Sequence, residues 1–86
     1  MYTLRWARDA AAFYDGLGAD QQERIDDALL ELATDPVIAP GVKRLKGEMQ
    51  GLSSRRVGSW RVIFTFDHST MLLDILVLAD RKESYR

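Results

Sequence analysis

Apolar and polar residues change period along this chain, and each change marks an element. Tyr2, Leu4 and Trp6 alternate with Thr3 and Arg5, which predicts a strand with one buried face ending near Ala7. From Asp9 the spacing becomes helical. Ala10, Phe13, Tyr14 and Leu17 fall together before Gly16 and Gly18 interrupt them, so a first helix of about two to three turns is expected, capped by Asp9. Asp20 and Glu23 have the spacing of a capping box, and Ile25, Ala28, Leu29, Leu32 and Ala33 repeat on one face of a second, longer helix. Asp35-Pro36 ends it, because proline disfavours the helical conformation of the residue before it. Residues 36 to 50 hold two prolines, two glycines and the basic cluster Lys43, Arg44 and Lys46, and read as an exposed connection.

Residues 51 to 66 then carry two apolar runs separated by Gly58-Ser59. A two-residue linker of this kind suits the primed turns that match strand twist, and predicts a hairpin with Val57 opposite Trp60 and Arg56 opposite Arg61. Trp60, Val62, Phe64 and Phe66 share the side expected to face the helices, and Arg61, Ile63 and Thr65 share the other, where Arg56 joins them. Asp67-His68-Ser69-Thr70 is a polar turn, and Met71 to Ala79, apolar except for Asp74, has the composition of a central strand buried on both faces. The polar tail from Arg81 to Arg86 is too short for a further stable helix. The order strand, helix, helix, strand, strand, strand defines an α+β domain over residues 1 to 86, with the helix pair on one face of a small, mainly antiparallel sheet.

Composition narrows the function classes. With 86 residues the chain has room for one core. Its net charge of -1 gives no overall attraction to nucleic acid, but the charge is unevenly spread. Between Asp9 and Asp35 there are eight acidic residues against Arg24 alone, whereas Lys43 to Arg61 holds six basic residues against Glu48. Such asymmetry points to one surface for a polyanion and another that tolerates cations, the bland reading being two solvated faces. No cysteine is present, which excludes a disulfide scaffold and any thiol chemistry. The longest apolar run is far too short to span a bilayer and no signal segment precedes the first strand, so a cytoplasmic protein is expected.

The candidate chemistry centres on arginine. Arg56 and Arg61 face each other across the hairpin, and like charges directly opposite are destabilising, so an anion between them is the economical reading. The alternative is that both side chains splay into water. Arg55 should point away from Arg56 and is expected to be peripheral. His68 lies in a turn far from the arginines, without an orienting partner, and forms no metal cluster with Asp67 and Asp74. Trp60 and Phe64 read as core.

The pattern Leu45-Lys46-Gly47, Gly51-Leu52, Arg56-Val57-Gly58-Ser59-Trp60-Arg61-Val62-Ile63-Phe64, Asp80-Arg81 and Ser84-Tyr85-Arg86 resembles the RelE/ParE toxins of bacterial type II toxin–antitoxin systems. The resemblance covers essentially the whole chain, and the predicted element order agrees with that fold. It implies a small cytoplasmic toxin held inactive by a cognate antitoxin. RelE-like members cut messenger RNA in the ribosomal A site without a metal or cofactor, whereas ParE-like members poison DNA gyrase by binding it. Arg61 and Arg81 match the arginines that RelE-like toxins place around the scissile phosphate, and Tyr85 matches their C-terminal tyrosine. These three are the catalytic candidates, with Lys43, Arg44, Lys46 and Arg56 as RNA contacts. The expected partners are therefore an antitoxin, the ribosome and mRNA. One departure stands out: RelE-like nucleases carry a lysine pair, or a glutamate with a histidine, where this chain has Ser53, Ser54 and Arg55. Lys43, Lys46 and Tyr85 are the alternatives for the missing base. A gyrase inhibitor, or a degenerate member that only binds antitoxin, stays open.

Overall fold

A computed structural model describes residues 1 to 80. Two helices, α1 (Arg8–Asp15) and α2 (Ala19–Thr34), follow the first strand, β1 (Thr3–Trp6), and precede β2 (Val42–Arg44), β3 (Ser53–Val57), β4 (Trp60–Asp67) and β5 (Leu72–Asp80). The sheet order is β1-β5-β4-β3-β2, antiparallel throughout except where β1 runs parallel to β5. The α+β architecture is the expected one, with one strand more than the residue pattern predicts. That strand, β2, lies within the stretch read as a connection. Three residues, two of them charged, make too short a pattern to register as a strand. Pairing with Ser53, Ser54 and Arg55 supplies what its own sequence does not.

The helix caps also differ from expectation. The Ala7 amide donates to the Ile75 carbonyl at 2.8 Å, so the chain stays in the sheet up to Ala7 and turns at once into α1. Ala7 is therefore the cap position, and Asp9 sits in the first turn, where its charge favours the helix dipole. In α2 the cap position is Gly18, two residues earlier than predicted: its amide donates to Gln21 Oε1 at 3.0 Å, one half of a capping box, and glycine has no side chain to return the other. At its far end the Asp35 carboxylate accepts the amides of Val37 and Ile38, which fixes the exit beside Pro36.

The core lies between the helices and one sheet face. Ile25, Leu29 and Leu32 of α2 pack with Val62, Phe64, Leu73, Ile75 and Leu78, and Trp60 closes one end. Each large apolar side chain so buried contributes about 1.5–3 kcal/mol. In β5 the inward residues Leu73, Ile75 and Leu78 break the period of two. The cause is a bulge: Ile63 pairs with Val77 and Phe64 with Ile75, leaving Leu76 extra. β5 is accordingly buried on one face only. Its other face, with Val77 exposed and Leu72 and Asp74 half-buried, lies away from α1 and α2, so among the described residues the expectation of burial on both faces does not hold.

Candidate functional site

The hairpin forms in the predicted register, with Arg56 opposite Arg61 and Val57 opposite Trp60. Gly58 takes φ +58°, as a two-residue turn with glycine at its first central position requires. Because Trp60 and Val62 point into the core, alternation places Arg56 and Arg61 together on the face away from the helices. Arg56 is exposed and Arg61 half-buried. Lys43 pairs with Ser54, which has the same parity as Arg56, so the lysine stands on this face diagonal to Arg56, within about 7–8 Å by sheet geometry. Cross-strand pairing thus gathers three cations where the sequence alone offered an arginine pair and a loop lysine.

Arg44 and Lys46 go elsewhere. Both line an open hollow of about 1150 Å³ at the far end of β4, together with Arg5, Asp67, His68 and Asp74. Six residues of strand separate Arg61 from Asp67, about 20 Å. In the hollow Arg5 is held by Asp74 in a two-pronged bond, Nε to Oδ1 at 2.7 Å and the second guanidinium nitrogen to Oδ2 at 3.0 Å. That hydrogen bonding, and the charge of Arg5, hold the Asp74 carboxyl below its ordinary range. The Asp67 carboxyl is lowered in the same direction, chiefly by accepting the Ser69 hydroxyl at 2.7 Å and amide at 2.9 Å. The turn predicted over Asp67 to Thr70 runs from His68 to Met71, since Asp67 pairs with Leu72 and Met71 takes φ +57°. His68 does have an orienting partner, contrary to expectation: Nδ1 lies 3.1 Å from the Tyr2 hydroxyl.

Arg55 points away from Arg56, as expected, and is more than peripheral. It is buried under α2, donating to the Ala28 carbonyl at 2.8 Å and to Glu31 Oε1 at 2.7 Å. Ser53 and Ser54 are buried as well, so the three positions in this segment present no exposed base.

No protein-family profile matches the sequence, and no curated protein matches it. Solved structures do. The chain superposes on a YoeB/ParE toxin from Agrobacterium tumefaciens with a TM-score of 0.81 at 25% identity, covering 93% of this chain and 98% of that one. The RelBE2 toxin–antitoxin complex from Mycobacterium tuberculosis gives 0.80 at 23% identity over 93% and 98%. An archaeal RelE–RelB complex from Pyrococcus horikoshii gives 0.78 at 24% over 93% and 94%. The chain has the RelE/ParE toxin fold.

On this RelE/ParE fold the sequence-derived candidates separate into three groups. Lys43, Arg56 and Arg61 share the open face, while Arg44, the residue after Lys43 in β2, and Lys46 line the hollow that extends toward the far end of β4. Arg81 and Tyr85 lie outside the described residues; the last described pairs set Ala79 beside Arg61 and Asp80 beside Trp60. Trp60 and Phe64 are core, as their alternation indicates. Sequence reasoning missed the Arg55 clamp and the Tyr2–His68 contact. Both join residues far apart in the chain, and only the helical phase of Ala28 and Glu31 hinted at the first. Among the described residues no group of three or more histidines and carboxylates is placed to hold a metal.

Proposed function

We propose that residues 1 to 86 act as the toxin of a type II toxin–antitoxin system: a ribosome-dependent, metal-independent endoribonuclease (mRNA interferase) that stops translation and is neutralised by a cognate antitoxin. The observation that carries this reading is the grouping of Lys43, Arg56 and Arg61 on the open sheet face. Metal-free RNA cleavage sends the ribose 2′-OH against the adjacent phosphorus. It needs a base for that hydroxyl, cations around the crowded phosphate and a proton donor for the leaving 5′ oxygen. Arg61, with Arg81, takes the phosphate charge and Arg56 anchors the neighbouring backbone. Tyr85 acts at the nucleotide. Of the two loop lysines only Lys43 stands beside the arginines, which makes it the better placed for the hydroxyl. Lys46 and Arg44 then contact RNA farther along the strand.

RelE–RelB and RelBE2 are complexes with antitoxins, and a protein partner of that kind is part of the proposal. No described helix is long and apolar enough to cross a membrane. Action in the cytoplasm follows from the proposed target.

One observation favours a second reading, inhibition of DNA gyrase by binding. Ser53, Ser54 and Arg55 are turned inward or buried, so this segment contributes no catalytic base. Uptake of labelled amino acids and thymidine after expression separates the two. The nuclease reading expects amino-acid incorporation to fail first, and early loss of thymidine uptake with protein synthesis continuing would replace it by the gyrase reading.

A further inference from the structure

The hollow that extends toward the far end of β4 has two features that phosphate chemistry at Arg61 does not use: walls of opposite charge, and a histidine whose ring is held. One wall comes from β2 and the residues just after it and carries Arg44 and Lys46. The other forms where β4 turns into β5 and carries Asp67 and Asp74, with β3 between the two walls in the sheet. Phe66 and Leu72 add apolar lining. A simple anion would need only the basic wall, and a simple cation only the acidic one. A hollow with both suits a ligand that is anionic at one end and offers hydrogen-bond donors at the other, with an apolar body between.

The two carboxylates of the acidic wall are not equivalent. Asp74 is engaged by Arg5 through both of its oxygens. Asp67 is bonded instead by neutral donors, the hydroxyl and amide of Ser69, both to Oδ1 at 2.7 and 2.9 Å, and among the described residues it makes no ion pair. Those bonds set its direction and hold its carboxyl below the ordinary range, so at neutral pH it is charged and accepts only. The next residue supplies the ring. His68 Nδ1 meets the Tyr2 hydroxyl at 3.1 Å, and Tyr2 is set edge-on against Phe66 with ring centroids 5.8 Å apart. A chain of contacts thus runs from half-buried Phe66 out to an exposed imidazole. A held, exposed aromatic ring beside an acceptor-only group is what stacking a nucleobase and reading its edge require.

We propose that this hollow is a binding site for a guanosine 5′-phosphate unit, with the base stacked on His68, its pairing edge bonded to Asp67 and its phosphate held by Lys46 and Arg44. Guanine is the base with two adjacent donors on its pairing edge, the ring N–H and the exocyclic amino group, and one carboxylate accepts both at once. Adenine, cytosine and uracil each present a single donor group there, flanked by acceptors that a carboxylate repels. Asp67 lies about 20 Å along β4 from Arg61, so a base read there is not the one at the scissile phosphate. The guanylate arrives either within an RNA strand that runs on from Arg56 and Arg61, where it selects the sequence that is held, or as a free guanine nucleotide. The first source rests on the nuclease reading; the site itself does not.

His68 is the single histidine of the chain, so its imidazole proton resonances report on the hollow in the whole protein. In titrations with 5′-GMP, 5′-AMP, 5′-UMP and inorganic phosphate, GMP should shift them saturably and bind at least about tenfold more tightly than AMP or UMP. Asp67→Asn keeps an oxygen for the Ser69 bonds and should erase that preference, whereas Lys46→Ala should weaken all three nucleotides alike. His68→Ala, followed by calorimetry, should weaken GMP about tenfold through lost stacking. Equal affinity for the three nucleotides, a GMP preference unchanged in Asp67→Asn, or shifts that inorganic phosphate reproduces in full overturns the proposal. The 2′-O-methyl tetranucleotides GUUU and UUUG, which cannot be cut, identify the source. If either binds at least about tenfold more tightly than GMP and loses that gain in Arg56→Ala, the hollow serves a strand; binding no tighter than GMP assigns it to the free nucleotide. No ribosome enters these measurements, so their failure leaves the nuclease reading standing, and failure of that reading leaves the site standing.

Discussion

Arg55 ties β3 to α2, and breaking its ion pair should be felt mainly through the buried charge left behind when Glu31 is the partner removed. Its side chain is 9% exposed and that of Glu31 49%, with 2.7 Å between nitrogen and oxygen. A second nitrogen bonds the Ala28 carbonyl at 2.8 Å, and Nε has no partner among the described residues. The two truncations are therefore unequal. Glu31→Ala strands a buried guanidinium, a defect of about 3–5 kcal/mol in a fully buried pair, brought down to about 2–3 kcal/mol here because the carboxylate was already half hydrated. Arg55→Met removes the charge but refills the stem, and should cost about 1 kcal/mol or less, as apolar replacement of buried ions commonly does. At about 4–8 °C per kcal/mol for a domain of this size, Glu31→Ala should lower the melting temperature by about 10–20 °C and Arg55→Met by less than about 8 °C. In the Arg55→Met background, Glu31→Ala should then cost almost nothing. Thermal melts followed by circular dichroism on the four proteins complete the cycle. If Glu31→Ala is silent and Arg55→Met carries the large loss, stem packing rather than the ion pair holds β3 to α2, and the reasoning fails.

Other expectations follow from single sites. Arg61→Ala should slow message cleavage by roughly two to three orders of magnitude with the fold intact, as for loss of a preorganised charged donor, and Arg81→Ala should do the same; full activity in a folded variant removes that residue from the site. Lys43→Ala should reduce cleavage more than Lys46→Ala, because only Lys43 stands beside the arginines, and single-turnover rates will show the order. Gly58→Ala places a side chain at φ +58° and should cost about 1–2 kcal/mol in chemical denaturation, with Gly58→Asn milder. Asp74 and Asp67 have folded values below the ordinary carboxylate range. Their contribution to stability is thus complete above about pH 4 and is lost as pH falls through the lowered values, so Asp74→Asn should flatten the acid limb of the stability curve.

What could be read without coordinates was local. The β3–β4 hairpin, its register and its outward arginines follow from Gly58-Ser59 and a period of two, both properties of adjacent residues. The helices follow from apolar spacing, though their caps shifted because β1 holds Ala7 in the sheet and Gly18 opens α2. Long-range facts were not legible. β2 exists only through its partner strand, the β5 bulge only through the mismatch with β4, and the Arg55 clamp only because α2 lies over β3. The same limit applied to the site. Lys43 and Lys46 are equivalent in sequence, and pairing separates them, one beside Arg56 and the other in the hollow with His68.

The most direct measurement is cleavage of a defined message by the purified protein in a reconstituted translation system, mapped by primer extension with and without programmed ribosomes. Cuts are expected within the message only when ribosomes occupy it, undiminished by a metal chelator added after initiation and nearly abolished by Arg61→Ala. An intact message on programmed ribosomes, with DNA supercoiling by gyrase inhibited by the same preparation, would contradict it.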